Sequence, residues 1–600
     1  MSLNRRKQRQ QRLRKLGSCN SVLLCSLCSL LFIQCASAEI SYPELEPLLK
    51  LTDAGADAGW ESEEASDAAQ TVLKKLIATA ADPAAKKGKL PEFRTQRWRP
   101  AQREKVFADK SVEVWRAKAD AKETPASEAM ASLREPYAAK AALAVKVKTF
   151  RVTPPAEKDG AFTTEVLVMV SGSGKTGTVQ QNAHWRCEWS GGAAPALRSL
   201  EVLSYEEILP LAGGLRYEDV TPAAFRGVES FRVQLLRGID HWRPRLQGDF
   251  GNDVNGLEGL ALGDADGDGL DDLYVCQQGG LPDKLYLRNA DGTLRDFSAE
   301  SGADWLEVTR AALFVDLDND GDQDLALAQG WYYMLMENDG KARFTKKAEV
   351  RAEANLHSLS AADADLDGDL DLYFCGRNPA REFAQSEGIL GQPMPYHDAN
   401  NGGPNIYLRN DGAWKFTDAT VASGLDVNNR RYSYACSWED YDLDGDPDLY
   451  VANDFGRNNL YRNDLKSGLG GSLAPPQFTD VAAALGVEDI SAGMGVTWGD
   501  PNNDGRPDIY VSNMFSSAGN RIAYQRNFRA GAANTDFQRH ARGNSLFLNA
   551  GDTFTDASVS AGVTMARWAW GAQFADLNND GWEDIYVANG FITTEDTGDL

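Results

Sequence analysis

Histidine and cysteine are scarce in this chain, and it has no apolar run of membrane-spanning length. The five histidines, His184, His241, His357, His397 and His540, are never within four positions of one another. There is no H-E-x-x-H pair and no G-x-S-x-G, so neither a helical zinc-protease site nor a nucleophile elbow is encoded. Eight cysteines in 600 residues exclude a disulfide scaffold. Four of them (Cys19, Cys25, Cys28 and Cys35) fall in the first 35 residues. Cys187, Cys276, Cys375 and Cys436 remain, enough for one disulfide or for buried free thiols. Positive charge is also short. Sixty-two Lys and Arg face 87 Asp and Glu, for a net charge of −25. Such a surface repels nucleic acid and anionic membranes, and suits metal cations or basic partners.

Seven of the basic residues lie at the N-terminus, between Arg5 and Lys15, and residues 1–38 hold no acid. An apolar run from Val22 to Ile33 follows, short of the roughly 20 residues of a bilayer span. Ala36-Ser37-Ala38 then supplies the small-x-small pattern of a signal-peptide cleavage site. The mature chain is expected to begin at Glu39 and to be secreted, periplasmic or held at the cell surface, with no further transmembrane span. Without residues 1–38 the net charge becomes −32. Cys25-x-x-Cys28 lies inside this apolar segment and is no redox site, and Gln34 is too large to precede a lipidated Cys35.

A chain this long needs at least two cores. Residues 39–144 are rich in Ala, Lys and Glu, with helical periodicity at 64–81 and 127–144. From Val145 to about 208 the alternation changes to that of a small antiparallel sheet, which joins the preceding helices in one α+β domain or stands apart from them. Gly172-Ser-Gly-Lys175-Thr176 mimics the end of a phosphate-binding loop. Met169 stands where that pattern needs its first Gly, and strand-like alternation resumes at Thr178, so a hairpin turn is expected.

Residues 209–600 repeat one nine-residue grammar six times. Positions 1, 3, 5 and 9 are Asp264, Asp266, Asp268 and Asp272 in loop one; Asp316, Asp318, Asp320 and Asp324 in loop two; Asp363, Asp365, Asp367 and Asp371 in loop three. They are Asp440, Asp442, Asp444 and Asp448 in loop four; Asp500, Asn502, Asp504 and Asp508 in loop five; Asp576, Asn578, Asp580 and Asp584 in loop six. Position 6 is always Gly. Oxygens at 1, 3 and 5 can converge on one point, with the carbonyl at 7 and the carboxylate at 9 completing a shell of hard ligands suited to calcium. Position 12, where an EF-hand carries Glu, is apolar in all six loops, so these loops join strands. Two carboxylates about 4 Å apart repel by about 4 kcal/mol at an effective dielectric of 20, which disfavours a set of empty turns.

Each loop is followed by an apolar-aromatic strand such as Leu449-Tyr-Val451, and most by a second such as Ile406-Tyr-Leu-Arg-Asn410. Several add a third such as Phe554-Thr-Asp556. The expected fold is mainly β: a C-terminal β-propeller of six to seven blades with calcium-binding hairpin loops, preceded by a smaller α+β domain. Segments such as Trp498-Gly-Asp-Pro-Asn-Asn-Asp-Gly-Arg-Pro-Asp-Ile-Tyr-Val-Ser-Asn513 and Asn459-Leu-Tyr-Arg-Asn463 resemble the FG-GAP and VCBS-type repeats of integrin α-chain propellers and of the cartilage acidic protein family. The resemblance implies about seven blades, calcium in the hairpins and a role in extracellular recognition or adhesion. The Phe-Gly and Gly-Ala-Pro boxes are mostly absent, and only sixteen residues follow Asp584, so the last blade lacks outer strands unless Tyr217–Thr221 closes the ring.

The expected function is therefore non-enzymatic binding of an extracellular protein or glycan. The alternative is a propeller enzyme, a lyase or hydrolase, acting on polysaccharide. Two insertions, Gly376–Pro404 and Met514–Gly543, follow the far end of a strand and are expected on the face opposite the acidic loops. They carry Arg377, Arg381, Tyr396, His397, Arg521, Tyr524, Arg526 and Arg529, and serve either as a recognition surface or as packing arms.

Overall fold

A computed structural model describes residues 61–82, 92–118, 122–153, 160–192, 194–211, 217–246, 258–380, 393–465, 476–524 and 532–590. The expected signal segment and cleavage point, the first four cysteines, and Arg381, Arg526 and Arg529 lie outside these residues. Two compact units divide after Glu61. The first lies outside the described residues apart from Glu61 itself, and the second runs from Ser62 to Leu600. No described helix is long and apolar enough to cross a membrane.

The N-terminal part is one seven-stranded sheet packed against two helices. Helix α1 spans Glu61–Ala81 and α2 spans Ala126–Ser132. Strands β1 (Arg94–Thr95), β2 (Glu104–Ala108), β3 (Val112–Lys118), β4 (Leu143–Thr153), β5 (Phe162–Ser173), β6 (Thr178–Trp189) and β7 (Leu197–Pro210) follow. The order is β2-β3-β7-β6-β5-β4, with β1 beside β7. Alternation in β5 buries Val166, Val168 and Val170, which meet Leu73, Leu76 and Ile77 of α1 in one core. The helical reading of 39–144 thus needs correction, because β1, β2 and β3 lie within it. β1 and β3, with short runs such as Val112-Glu-Val-Trp115, pair with β7, which lies some ninety residues downstream, and β2 pairs with β3. The second expected helix stops at Ser132, four residues before Pro136. Ser173 ends β5 and Thr178 opens β6, so the Gly172–Thr176 segment is a hairpin turn, as expected.

The C-terminal part is a propeller-like arrangement of small antiparallel sheets. β8 (Leu260–Gly263), β9 (Asp272–Val275), β10 (Lys284–Arg288) and β11 (Leu294–Asp296) form the first. The second joins β12 (Ala311–Val315), β13 (Asp324–Asn338), β14 (Phe344–Ala362), β15 (Asp371–Pro379), β16 (Ile406–Asn410) and β17 (Phe416–Asp418). It contains two repeats, because β13 and β14 are long and shift register near Gly330 and Ala354. β18 (Ser433–Glu439), β19 (Asp448–Asn453), β20 (Asn459–Asn463) and β21 (Phe478–Asp480) make the third. The fourth is β22 (Gly493–Gly499), β23 (Asp508–Asn513), β24 (Ser545–Asn549) and β25 (Phe554–Asp556). The fifth pairs β26 (Ala569–Ala575) with β27 (Asp584–Asn589).

The innermost strands β8, β12, β14, β18, β22 and β26 neighbour one another in that order. Strands behind them are sandwiched between adjacent sheets, so β19 is buried on both faces from Asp448 to Asn453. Cores form between neighbours: Tyr373, Cys375 and Tyr407 of one repeat pack with Leu449, Val451 and Tyr461 of the next. Cys187, Cys276, Cys375 and Cys436 are all free thiols, which resolves the cysteine alternative left open by the sequence.

Candidate metal centres in the acidic loops

Each acidic loop joins an innermost strand to the strand behind it: β8 to β9, β12 to β13, β14 to β15, β18 to β19, β22 to β23 and β26 to β27. The turn is made by two left-handed residues. Gly at position 6 has φ between 81° and 98°, as expected. Position 4 is left-handed as well, and there Asn319, Leu366, Leu443, Asn503 and Asn579 accept a conformation that glycine usually takes.

The carboxylates divide by role. Position 1 caps the turn: Asp264 accepts from the N–H of Asp268 at 3.0 Å and of Gly269 at 2.8 Å, and Asp363, Asp440, Asp500 and Asp576 repeat this. Position 5 accepts from the N–H of position 7, as Asp268 does from Leu270 at 2.9 Å. Position 9 is buried and ties the loop to the sheet. Asp448 accepts from Tyr441 N at 3.2 Å and Asn463 N at 2.7 Å, and Asp371 accepts from Ala364 N, Asn410 N and the Tyr407 hydroxyl.

Position 3 differs. Asp266, Asp318 and Asp365 each bury a carboxylate oxygen that meets no donor among the described residues, and so do Asp316, Asp322, Asp446 and Asp508. Orphaned anionic oxygens of this kind are costly unless a cation takes the place of water. Four trios bring ligand oxygens within 4.8 Å of one another: Asp264, Asp266 and Asp272; Asp316, Asp318 and Asp320; Asp363, Asp365 and Asp367; Asp440, Asp442 and Asp448. Asp268, Asp324, Asp371 and Asp444 stand outside these trios. The all-oxygen set, with no His or Cys, fits a hard cation of calcium type.

Loops five and six form no such carboxylate trio among the described residues. Their position 3 is Asn502 and Asn578, and the Asn578 amide nitrogen donates to Asp584 at 3.2 Å, which turns a donor rather than an acceptor toward the ninth carboxylate. Sequence reasoning also overlooked position 7, which it assigned to a backbone carbonyl. In loops two to four that residue is Asp322, Asp369 and Asp446. Burial, then the neighbouring Asp320, Asp318 and Asp316, push Asp322 up to about 6. Burial, then Asp444, do the same to Asp446, also to about 6. A fifth acid in a nine-residue loop was visible in the sequence and was the available signal. Partial offsets exist too: Arg295 pairs with Asp266 at 3.2 Å, and Trp414 Nε1 donates to Asp318 at 2.9 Å.

The loops are linked to one another through a recurrent asparagine. Asn338, at the end of β13, donates to Ala265 O in loop one and Gln323 O in its own loop, both at 2.9 Å. Asn410 reaches Leu317 and Leu370, Asn463 reaches Ala364 and Pro447, and Asn549 reaches Tyr441 and Pro507. In loop six the equivalent carbonyl, Leu577 O, accepts from the hydroxyl of Tyr217, from the segment the sequence had offered for ring closure. Beyond that segment, Ser230 Oγ lies 3.1 Å from the Tyr286 hydroxyl of the first sheet.

A family described as FG-GAP-like repeat matches residues 264–327, 316–374, 440–511 and 533–587. Three of these matches open on the first aspartate of an acidic loop. The chain is an FG-GAP repeat protein. Cartilage acidic protein 1 of Mus musculus is 27% identical to this FG-GAP protein over 300 residues, 46% of this chain and 39% of that protein. The Xenopus tropicalis protein of the same name is 26% identical over 131 residues, 20% of each. The matches therefore span well under half of those relatives. Among solved structures, a lectin of Agrocybe aegerita recognising non-reducing terminal N-acetylglucosamine aligns at a TM-score of 0.31 and 15% identity, covering 55% of this chain and 73% of its own. The NanB sialidase of Streptococcus pneumoniae aligns at 0.25 and 8%, covering 80% and 93%.

The insertion Met514–Gly543 takes the role of a packing arm. Helix α3 (Ser517–Ala523) lies against β4, and α4 (Ala532–His540) follows it. Arg521 binds both carboxylate oxygens of Glu63, at 2.8 and 2.7 Å, and Thr149 O at 2.7 Å. Tyr524 lies under the Arg151 guanidinium, 4.1 Å from the ring centre. These two residues join the propeller to the N-terminal sheet, and Tyr524 keeps 40% of its surface exposed.

Proposed function

We propose that this FG-GAP repeat protein is an exported, calcium-binding β-propeller of six to seven blades that acts as a recognition or adhesion module for an extracellular protein or glycan. The observation that carries the calcium reading is the buried, donor-less carboxylate oxygen at position 3 of loops one to three. Export rests on the basic, apolar and Ala36-Ser37-Ala38 pattern. The roles of the proposed ligands follow from the geometry. Positions 1, 3 and 5 or 9 supply oxygens, with Asp322 and Asp446 added at position 7, while position 9 also anchors the loop in the sheet.

The enzyme alternative gains no specific support. It asked for His397 or His540 beside Arg and Tyr in a cleft. Tyr396 does meet His540 ring to edge at 5.4 Å, but His540 is 6% exposed and turns no face to a substrate. Calcium removal tests the proposal. Extracellular modules bind calcium at about 0.1–1 mM, and at ten times the dissociation constant each site contributes about 1.4 kcal/mol. The mature protein should melt many degrees lower in EDTA than in millimolar calcium. An identical melting curve in both would overturn the calcium reading, and an array of glycans and matrix proteins that captures nothing would overturn the recognition reading.

A further inference from the structure

The acidic loops occupy the end of the innermost strands. The beginning of those strands, on the opposite face and around the axis, has a different chemistry. Arg310 stands directly before β12, His357 lies on β14, Tyr434 on β18 and Trp570 at the start of β26. Arg377 joins them from the far end of β15, and Asp454 from just after β19. Tyr434 is the hub. His357 meets it edge-on at 4.9 Å, Trp570 meets it edge-on at 5.9 Å, and the Arg377 guanidinium lies 4.8 Å from its ring centre. Arg310 and Arg377 both act electrostatically on His357 and on Tyr434.

Each guanidinium already holds one carboxylate: Arg310 pairs with Glu258 at 2.9 Å and Arg377 with Asp454 at 2.5 Å. Neither is fully used. The Nε–H groups of Arg310 and Arg377 are buried and meet no acceptor among the described residues, and the Arg310 side chain is only 6% exposed. Burial, then the two guanidiniums, hold the His357 imidazole neutral, so it serves as a polar partner and not as a third cation. The buried Arg310 and the half-buried Arg377 thus share this end of the axis with one phenol ring, Tyr434, and one indole ring, Trp570.

We propose that this end of the axis binds a saccharide carrying a carboxylate, a uronate, with the carboxylate on the accessible guanidinium nitrogens of Arg310 and Arg377 and the sugar's C–H face on Tyr434 or Trp570. Guanidinium donors match a planar carboxylate, and aromatic faces take the apolar side of a sugar ring. The two resident acids set the selectivity. Glu258 and Asp454 offset the two guanidinium charges, so the site offers hydrogen-bond donors with little net charge and disfavours a dianion such as phosphate more than a monoanion. The inference supplies a ligand class for the recognition reading, but it stands on residues remote from the acidic loops.

The test uses the mature protein in calcium and three probes measured by calorimetry: a hyaluronan hexasaccharide, neutral chitohexaose and inorganic phosphate. The hyaluronan fragment should bind at least about tenfold more tightly than either of the others, a gap of about 1.4 kcal/mol. Tyr434→Ala should weaken it by about tenfold or more. The double replacement Arg310→Gln with Glu258→Gln removes both members of the ion pair, leaves no lone buried charge, and should weaken binding similarly. Both variants should keep the wild-type melting shift between EDTA and calcium. No binding of the hyaluronan fragment, equal binding of chitohexaose or phosphate, or full binding by both variants would overturn the proposal. A retained calcium shift with no uronate binding would sink this inference and leave the calcium-loop reading standing. The reverse result would do the opposite.

Discussion

At the scale of single residues, the same amino acid does two jobs within one nine-residue loop. In loop two, Asp324 at position 9 spends its oxygens on the N–H groups of Leu317 and Asn338, whereas Asp318 at position 3 leaves one oxygen buried and unmet. Substitutions should separate the two. Asp324→Asn places an amide against the N–H donors of Leu317 and Asn338, lies outside the ligand trio of its loop, and should cost about 1–3 kcal/mol in calcium and in EDTA alike. Asp318→Asn should instead reduce the calcium-induced rise in melting temperature and leave the EDTA curve unchanged or slightly higher, because one like-charge repulsion is gone. Equal effects of both variants in both buffers would show that the roles are not divided this way. Asp283 offers a second check. It is fully buried, and burial raises its carboxyl to about 8 despite donors from Thr309, Gln277 and Tyr274. Between the unfolded value near 4 and that folded value, the folded chain holds a proton that the unfolded chain has lost. Stability therefore falls as pH rises through this window, by up to about 1.4 kcal/mol per unit. Asp283→Asn should flatten the fall measured between pH 5 and 8, and an unchanged slope would contradict it.

At the scale of strands and loops, much was legible and the failures have identifiable causes. Position 6 Gly, the alternation on either side and the recurrent Tyr located every hairpin, because these follow from local chain geometry. The fusion of two repeats into one sheet was not legible. It depends on Gly330 bending β13 and on a register shift in β14, neither of which changes the hydrophobic pattern. Strands β1 to β3 were hidden for a similar reason, being short and charged and joined to the sheet through β7, far along the chain. The asparagine ending each third strand was quoted in the motif but given no role. Its function depends on a carbonyl in the preceding repeat, and sequence spacing does not reveal that. Asn463→Ala leaves Ala364 O and Pro447 O without that donor and should cost about 1–3 kcal/mol. Hydrogen exchange should rise in loops three and four together. Faster exchange confined to loop four would show that no coupling passes between repeats.

At the scale of the whole molecule, the propeller and the N-terminal sheet are joined through a charged contact with little redundancy. Arg521 spends three donor contacts on Glu63 and Thr149, and Phe150 meets Phe515 with ring centres 6.4 Å apart. Removing Arg521 leaves the Glu63 carboxylate without its partner. Arg521→Ala should split a single melting transition into two, with calcium binding by the loops retained. One unbroken transition in the variant would mean that the contact does not hold the two parts together.

The asparagine links have a direction. Every carbonyl they hold lies upstream of its donor, by 73, 93, 99 and 108 residues for Asn338, Asn410, Asn463 and Asn549. A chain that emerges N-terminus first, from a ribosome or through a translocation pore, therefore presents each acidic loop long before the residue that fastens it. Loops one to four must wait, open and negatively charged, until the next repeat has followed them out. Folding of the propeller should thus trail the emerging chain by about one repeat, and loop six, fastened by Tyr217 from upstream, is the exception whose fastener is already out when it appears.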